Sequence, residues 1–104
     1  MENGTITYTQ LLREDLGIFR VTPDAGVPDF KAGQFLTLGL PLENKIVNRA
    51  YSIASSPENK EYVEFVIRWV RKPLPGRLTS LLFNAKEGDK ISWAKPAGNL
   101  TIND

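Results

Sequence analysis

EYVEFVIRWVR, residues 61–71, is the clearest strand pattern in this chain. Its residues alternate, as in a β-strand that buries one face in a core. The face predicted to be buried carries Val63, Phe65, Ile67 and Trp69. The opposite face carries Tyr62, Glu64, Val66, Arg68 and Val70. A segment with two prolines and a glycine, residues 72–76, ends the strand.

Outward from this strand, short runs of β-branched and aromatic residues alternate with turn residues. The predicted strands are residues 5–13, 18–22, 34–40, 50–55 and 90–95. The predicted turns and loops are residues 14–17, 23–33 and 41–48. A last strand-like pattern covers residues 100–103.

One helix is predicted, over residues 78–86, because Leu78, Leu81 and Leu82 recur at helical spacing. Thr79 lies near its start, where hydroxyl side chains suit capping, and Gly88 follows its end, where a left-handed residue is common. These elements predict an all-β domain. We expect a closed, six-stranded antiparallel barrel with one short helix, because closure removes exposed strand edges.

Composition excludes several kinds of chemistry. The 104 residues fit one domain, and 13 basic against 12 acidic residues leave a net charge of +1, which favours neither nucleic acid nor an anionic membrane surface. With no cysteine and no histidine, disulfides, Cys/His metal sites and Ser-His catalysis are excluded. Any redox chemistry therefore needs a bound organic cofactor.

The N-terminus lacks the basic and apolar regions of a signal peptide, and no apolar run approaches the roughly 18 residues of a membrane span. A cytoplasmic location is the default expectation.

The segment RAYS, residues 49–52, places a cation, an aromatic ring and a hydroxyl on one predicted strand. The guanidinium of Arg49 matches phosphate oxygens, and Tyr51 lies on the same strand face. The Tyr51 ring can stack on a flat heterocycle, and Ser52 can donate to a ring nitrogen. Taken singly, the same residues also fit a solvated charge, a core tyrosine and a hydroxyl bonded to backbone.

A second candidate element, GRLT at residues 76–79, places a glycine before the helix. Gly76 allows close backbone approach, the first helical N–H groups attract anions, and Thr79 adds a hydroxyl. A helix that simply caps itself is the alternative. The segment is neither a Walker loop nor a GxGxxG turn.

Together, RAYS and GRLT resemble the FAD-binding domain of the ferredoxin–NADP⁺ reductase family, and RAYSIASSP is most similar to its bacterial branch. FKAGQF at residues 30–35 and KEGDKI at residues 86–91 extend the resemblance over nearly the whole chain. The resemblance implies a six-stranded antiparallel Greek-key barrel with one helix.

The resemblance also implies roles for individual residues. Tyr51 stacks on the isoalloxazine, and Ser52 bonds the ring nitrogen that accepts hydride, so these two form the catalytic pair. The expected pyrophosphate contacts come from Arg49 and from Gly76, Arg77, Leu78 and Thr79. The other expected cofactor contacts are Ala50 in the motif, the backbone of Val66 and Ile67, and Arg68 near the phosphates. The expected cofactor is FAD, and FMN stays open as the alternative.

For the intact enzyme, the resemblance implies electron transfer between NAD(P)H and ferredoxin, flavodoxin or another iron–sulfur protein. Residues 1–104 are expected to be the FAD-binding barrel alone, without the NAD(P)-binding domain. We therefore expect these residues to be a domain or fragment of a reductase rather than a natural stand-alone barrel. By itself this domain is expected to be inactive with NADPH.

Two other interpretations stay open. A non-enzymatic oligonucleotide- or oligosaccharide-binding barrel would use a basic groove with exposed aromatic residues. Its candidates are Arg68, Trp69, Arg71, Lys72, Arg77 and Trp93. The position of Trp69 on the core face and the net charge of +1 oppose it. The other interpretation is the flavin domain of an electron-transfer subunit or an oxygenase reductase.

Overall fold

A computed structural model describes residues 2–69 and 77–97 of the chain. These residues form six strands and one helix. In chain order the elements are β1 (Glu2–Arg13), β2 (Leu16–Pro23), β3 (Phe35–Leu42), β4 (Lys45–Ser52), β5 (Val63–Arg68), α1 (Arg77–Phe83) and β6 (Lys90–Ala97).

The strands form one antiparallel sheet in the order β4-β3-β6-β1-β2-β5. The predicted all-β Greek-key fold with one helix is confirmed. The sheet curls, so that its two edge strands approach each other, and the Ala54 N–H donates to the Glu64 carbonyl at 2.8 Å. Closure is incomplete, however, because β4 and β5 are the two ends of this order and do not pair along their length. The barrel is therefore open on one side.

The core lies inside the curled sheet, as strand alternation requires. Along β5, Val63, Phe65 and Ile67 are buried as predicted. Trp69 lies just beyond the strand and is half-buried, with its ring centroid 5.1 Å from that of Phe83. Helix α1 adds the buried side chains of Leu78 and Leu82, so it covers part of the core next to β3 and β4.

The predicted loop over residues 41–48 is wrong except at residues 43 and 44, because β3 runs to Leu42 and β4 begins at Lys45. The strands β3 and β4 form a hairpin in which Leu42 pairs with Lys45, and Glu43 takes a φ of 59° in the turn. The β-branched residues Ile46 and Val47 continue the strand after this short turn. The hairpin sets the register that places RAYS at the open side.

Other element ends also differ from prediction. β4 ends at Ser52 rather than residue 55, and β1 begins at Glu2 rather than residue 5. Helix α1 ends at Phe83 rather than residue 86, because the N–H groups of Asn84 and Ala85 bond to carbonyls three residues earlier and tighten the last turn. The predicted strand over residues 100–103 and the end of the strand predicted over residues 61–71 lie outside the described residues.

Gly88 turns the chain from α1 into β6, with a φ of 98°. Its N–H donates to the Ile6 carbonyl at 2.7 Å, which fastens the turn to β1. We expect Gly88→Ala to lower the free energy of unfolding by about 1–2 kcal/mol, because an L side chain disfavours this conformation. An added Cβ would meet no atom within 4 Å, so the cost is conformational. Urea denaturation measures it.

Lys86→Ala is the matched control in the same turn, because Lys86 is exposed. We expect a change within about 0.5 kcal/mol for that variant. Equal stability of the two variants would show that the backbone conformation at Gly88 costs nothing.

Within the described residues, α1 spans seven residues, and no helix has the length and apolar character that crossing a membrane requires.

Candidate functional site

A groove lies where the barrel is open, between the edge strands β4 and β5. It encloses about 290 Å³, at the lower end of the range for small-molecule pockets. Unpaired edge strands present free backbone N–H and C=O groups, which a ligand can use. The lining residues are Phe35, Arg49, Ala50, Tyr51, Ser52, Val66, Ile67, Arg68 and Thr79.

The structure brings together most of the residues singled out from the sequence. Every predicted site residue on β4 and β5 lines the groove, and Thr79 joins them from α1. Leu78 does not line it: its side chain is buried in the core. Gly76 and the side chain of Arg77 lie outside the described residues.

Arg49 and Tyr51 share one face of β4, as their spacing predicts. Arg49 pairs across the hairpin with Leu38, and Tyr51 pairs with Leu36. Both leucines are fully buried, so this is the face of the sheet that covers the core. Arg49 and Tyr51 therefore lie next to each other, where the core-facing side of β4 continues into the groove.

The Tyr51 side chain is held at two points. Its hydroxyl oxygen lies 2.7 Å from the hydroxyl oxygen of Thr79, and its ring meets Phe65 edge to face, with centroids 6.3 Å apart. Burial raises the pKa of Tyr51, and the hydrogen bond with Thr79 and the charge of Arg49 lower it less strongly. The phenol is therefore protonated at neutral pH and available as a donor.

The electrostatics of the groove favour an anion. Arg49 and Arg68 are both exposed on its lining, and among the described residues no Asp or Glu side chain lines it. Across residues 2–69 and 77–97, no carboxylate forms an ion pair with either arginine. Arg20, by contrast, bonds Glu64 at 2.8 Å outside the groove. Two arginines without acidic partners suit phosphate oxygens.

The β5 side of the groove is apolar next to Arg68. Val66 leaves 51% of its surface exposed, while its neighbour Ile67 is buried. An exposed β-branched residue on a groove wall offers a surface that a flat ring can cover. Cations, a tyrosine ring, hydroxyls and this apolar wall together fit a ligand with phosphates and a heterocycle, such as a flavin nucleotide.

Phe35 is the lining residue that sequence reasoning missed as a site residue. It pairs directly with Ser52 across the β3–β4 hairpin. Finding it required the hairpin register, which the predicted loop over residues 41–48 obscured. A turn recognised at Glu43 would have placed residue 35 opposite residue 52 and so next to the RAYS segment.

The structure weakens the nucleic-acid interpretation, because neither tryptophan is fully exposed. Trp93 is buried, and its indole N–H donates to the Asn3 carbonyl at 3.0 Å. Trp69 packs against Phe83. A search of the described part of the chain finds no group of acidic side chains placed to hold a metal ion.

Comparison with known proteins identifies the family of this chain. Residues 3–102 match the family described as oxidoreductase FAD-binding domain. The chain is 41% identical over 87 residues to a ferredoxin–NADP reductase of Pseudomonas aeruginosa, covering 83% of this chain and 32% of that protein. It is 36% identical over 101 residues to a flavodoxin/ferredoxin–NADP reductase of Escherichia coli, covering 97% of this chain and 38% of that protein.

A ferredoxin NADP⁺ reductase from Neisseria gonorrhoeae, solved with bound FAD and NADP, has the same fold. It superposes with a TM-score of 0.80 at 24% identity, over 92% of this chain and 37% of that one. The chain thus spans about a third of the length of the curated relatives it matches. The resemblance inferred from RAYS and GRLT is confirmed: the chain belongs to the oxidoreductase FAD-binding domain family.

Proposed function

We propose that this chain binds FAD in the groove between β4 and β5 and acts as the flavin domain of an oxidoreductase. The observation that supports this most directly is the pair of arginines, Arg49 and Arg68, which line the groove without an acidic partner among the described residues. Tyr51 lies beside them with its ring against the core. Family membership supports FAD as the ligand.

In this proposal each side chain has one task. Arg49 binds the pyrophosphate through charge-assisted hydrogen bonds, and Arg68 adds positive charge on the opposite wall. Tyr51 supplies the stacking surface, and its protonated hydroxyl stays a donor. Ala50, Val66 and Ile67 shape the walls.

Tyr51 and Ser52 are the proposed catalytic residues. Bound FAD supplies the redox chemistry, because its ring accepts a hydride and releases electrons one at a time, which no side chain of this chain does. Ser52 is exposed at the end of β4 and lines the groove, so its hydroxyl can donate to a ring nitrogen. Tyr51 holds the ring plane in place.

For the whole protein we propose electron transfer between NAD(P)H and ferredoxin, flavodoxin or another iron–sulfur protein. The names of the relatives from P. aeruginosa and E. coli support this assignment. In this proposal, residues 1–104 bind the flavin, and a separate NAD(P)-binding domain binds the nicotinamide. A cytoplasmic location stays a prediction from the sequence.

The test is the visible spectrum of the purified chain after addition of FAD and desalting. We expect a retained yellow flavin, which chromatography of the released cofactor identifies as FAD. Parallel titration with FMN measures the preference between the two nucleotides. A folded protein that shows no spectral change at saturating FAD would contradict the proposal.

Ser52→Ala tests the contact with the reacting ring. We expect FAD affinity within about fivefold of the unmodified chain, because one neutral hydrogen bond contributes about 1 kcal/mol. The midpoint potential of the bound flavin should shift by roughly 20–30 mV, since that bond differs in strength between redox states. Spectroelectrochemistry measures the shift.

Ser56→Ala is the control, because Ser56 is exposed and does not line the groove. An unchanged midpoint potential of the bound flavin in both variants would show that Ser52 does not contact the reacting ring.

A further inference from the structure

The contact between the hydroxyls of Tyr51 and Thr79 joins the two elements that the sequence singled out separately. Tyr51 belongs to β4, and Thr79 lies in the first turn of α1. Their oxygens are 2.7 Å apart, and either can be the donor. Thr79 is 5% exposed, so its hydroxyl has little access to water. A buried hydroxyl at this distance is a specific partner.

This contact constrains how the Tyr51 ring can lie. Rotation about the first side-chain torsion of a tyrosine moves the ring and the hydroxyl together, whereas rotation about the second turns the ring face about an axis that passes through the hydroxyl. Phe65 contacts the ring edge from the core side, and Thr79 contacts the hydroxyl at the far end. The Thr79 contact therefore fixes the direction of the side chain, and the Phe65 contact limits rotation of the ring face, so the ring is in place before any ligand arrives. Such preorganisation increases affinity by reducing the entropy lost on binding.

We propose that Thr79 is a positioning residue, whose hydroxyl holds the Tyr51 ring in the place where it stacks on the flavin ring. This inference rests on the proposed binding of FAD. It differs from the direct contact with the pyrophosphate that the sequence predicts for Thr79. The two roles can be distinguished by ligands that carry no phosphate. Loss of a positioning residue weakens the binding of such ligands too, whereas loss of a phosphate contact does not.

The experiment compares riboflavin, FMN and FAD as ligands of the full chain. Riboflavin has the ring without phosphate, FMN has one phosphate, and FAD has the pyrophosphate. Thr79→Val removes the hydroxyl at nearly constant volume, and Thr79→Ser keeps it. We expect Thr79→Val to weaken binding of all three ligands by a similar factor, about fivefold, as for loss of one hydrogen bond. Thr79→Ser should bind as the unmodified chain does.

The same substitution is then made in a Tyr51→Phe background. There we expect Thr79→Val to have no further effect on riboflavin affinity, because the group that Thr79 orients is gone. An undiminished effect in that background would overturn the proposal. Riboflavin affinity unchanged by Thr79→Val, with FAD affinity lowered, would also overturn it and make Thr79 a phosphate ligand.

A measurement on the ligand-free chain separates this proposal from the proposed function. Burial raises the pKa of Tyr51, and the hydrogen bond with Thr79 lowers it less strongly. Thr79→Val should therefore raise that pKa, and Thr79→Ser should leave it unchanged, in a spectroscopic titration assigned with Tyr51→Phe. No shift in Thr79→Val would overturn the contact itself. If the unmodified chain binds no flavin, the proposed function fails, and the positioning of a flavin ring fails with it, even where this shift is present.

Discussion

Arg49→Met should weaken FAD binding by about 100-fold, because it removes charge-assisted hydrogen bonds that contribute about 1.5–3 kcal/mol each. Arg49 is exposed on the groove lining, and none of the carboxylates in the described residues forms an ion pair with it. Its guanidinium is therefore free to bind phosphate. Methionine keeps much of the apolar stem, so the loss reports on charge rather than on packing. Titration of flavin absorbance measures the change.

Riboflavin provides the internal control for this prediction. It lacks phosphate, so we expect its affinity to change far less than that of FAD. The dependence of FAD affinity on salt concentration should also become weaker in Arg49→Met, because an exposed charge is screened by salt. Equal losses of affinity for riboflavin and for FAD would mean that Arg49 shapes the groove rather than binding the pyrophosphate.

Arg13→Met is the matched variant, with the same chemical change at a distant position. Arg13 ends β1, does not line the groove, and lies 3.5 Å from an oxygen of Asp15. Exposed ion pairs contribute little to stability. We expect FAD affinity equal to that of the unmodified chain. A comparable loss in this variant would show that net charge, rather than the position of Arg49, controls binding.

Leu38→Ala should lower the free energy of unfolding by about 2–5 kcal/mol, because it leaves a cavity in the core. Leu38 is fully buried on β3, where it pairs with Arg49 on one side and Trp93 on the other. Removing it therefore unpacks the strand that supports the groove. Urea denaturation should show a lower midpoint with an unchanged slope, as expected when stability alone changes.

Leu12→Ala is the matched control for that experiment. Leu12 is 48% exposed near the end of β1, so the same side-chain truncation removes little buried surface. We expect a change within about 0.5 kcal/mol. A loss as large as that of Leu38→Ala would mean that burial does not govern stability in this sheet.

The fold was predictable where side-chain alternation is strong. Val63, Phe65 and Ile67 are buried on one face of β5 as their spacing predicts, because a strand turns successive side chains to opposite faces. Prediction failed around the β3–β4 hairpin. There Glu43 takes a positive φ, and Pro41 stands inside the paired region opposite Ile46. Proline and turn residues favoured a loop, whereas pairing with the rest of the sheet stabilised a strand.

The site was predictable in its chemistry more than in its geometry. RAYS identified a cation, a ring and a hydroxyl on one strand, and the structure places all of them on the groove. The side chain of Leu78 is buried in the core, as its helical spacing with Leu82 indicates. The expected contact of this residue with the pyrophosphate would therefore come from its backbone and stays a prediction. The roles assigned to the groove residues stay predictions until the variants are measured.

By itself, the sequence determined the fold class, the need for an organic cofactor in any redox role, and the residues suited to hold it. These follow from local properties: alternation, residue chemistry and the absence of histidine and cysteine. Only the tertiary structure decided that the barrel stays open between β4 and β5, that Phe35 faces the groove, and that Thr79 meets Tyr51. Those facts depend on register and on packing between residues distant in the chain, which local patterns do not encode.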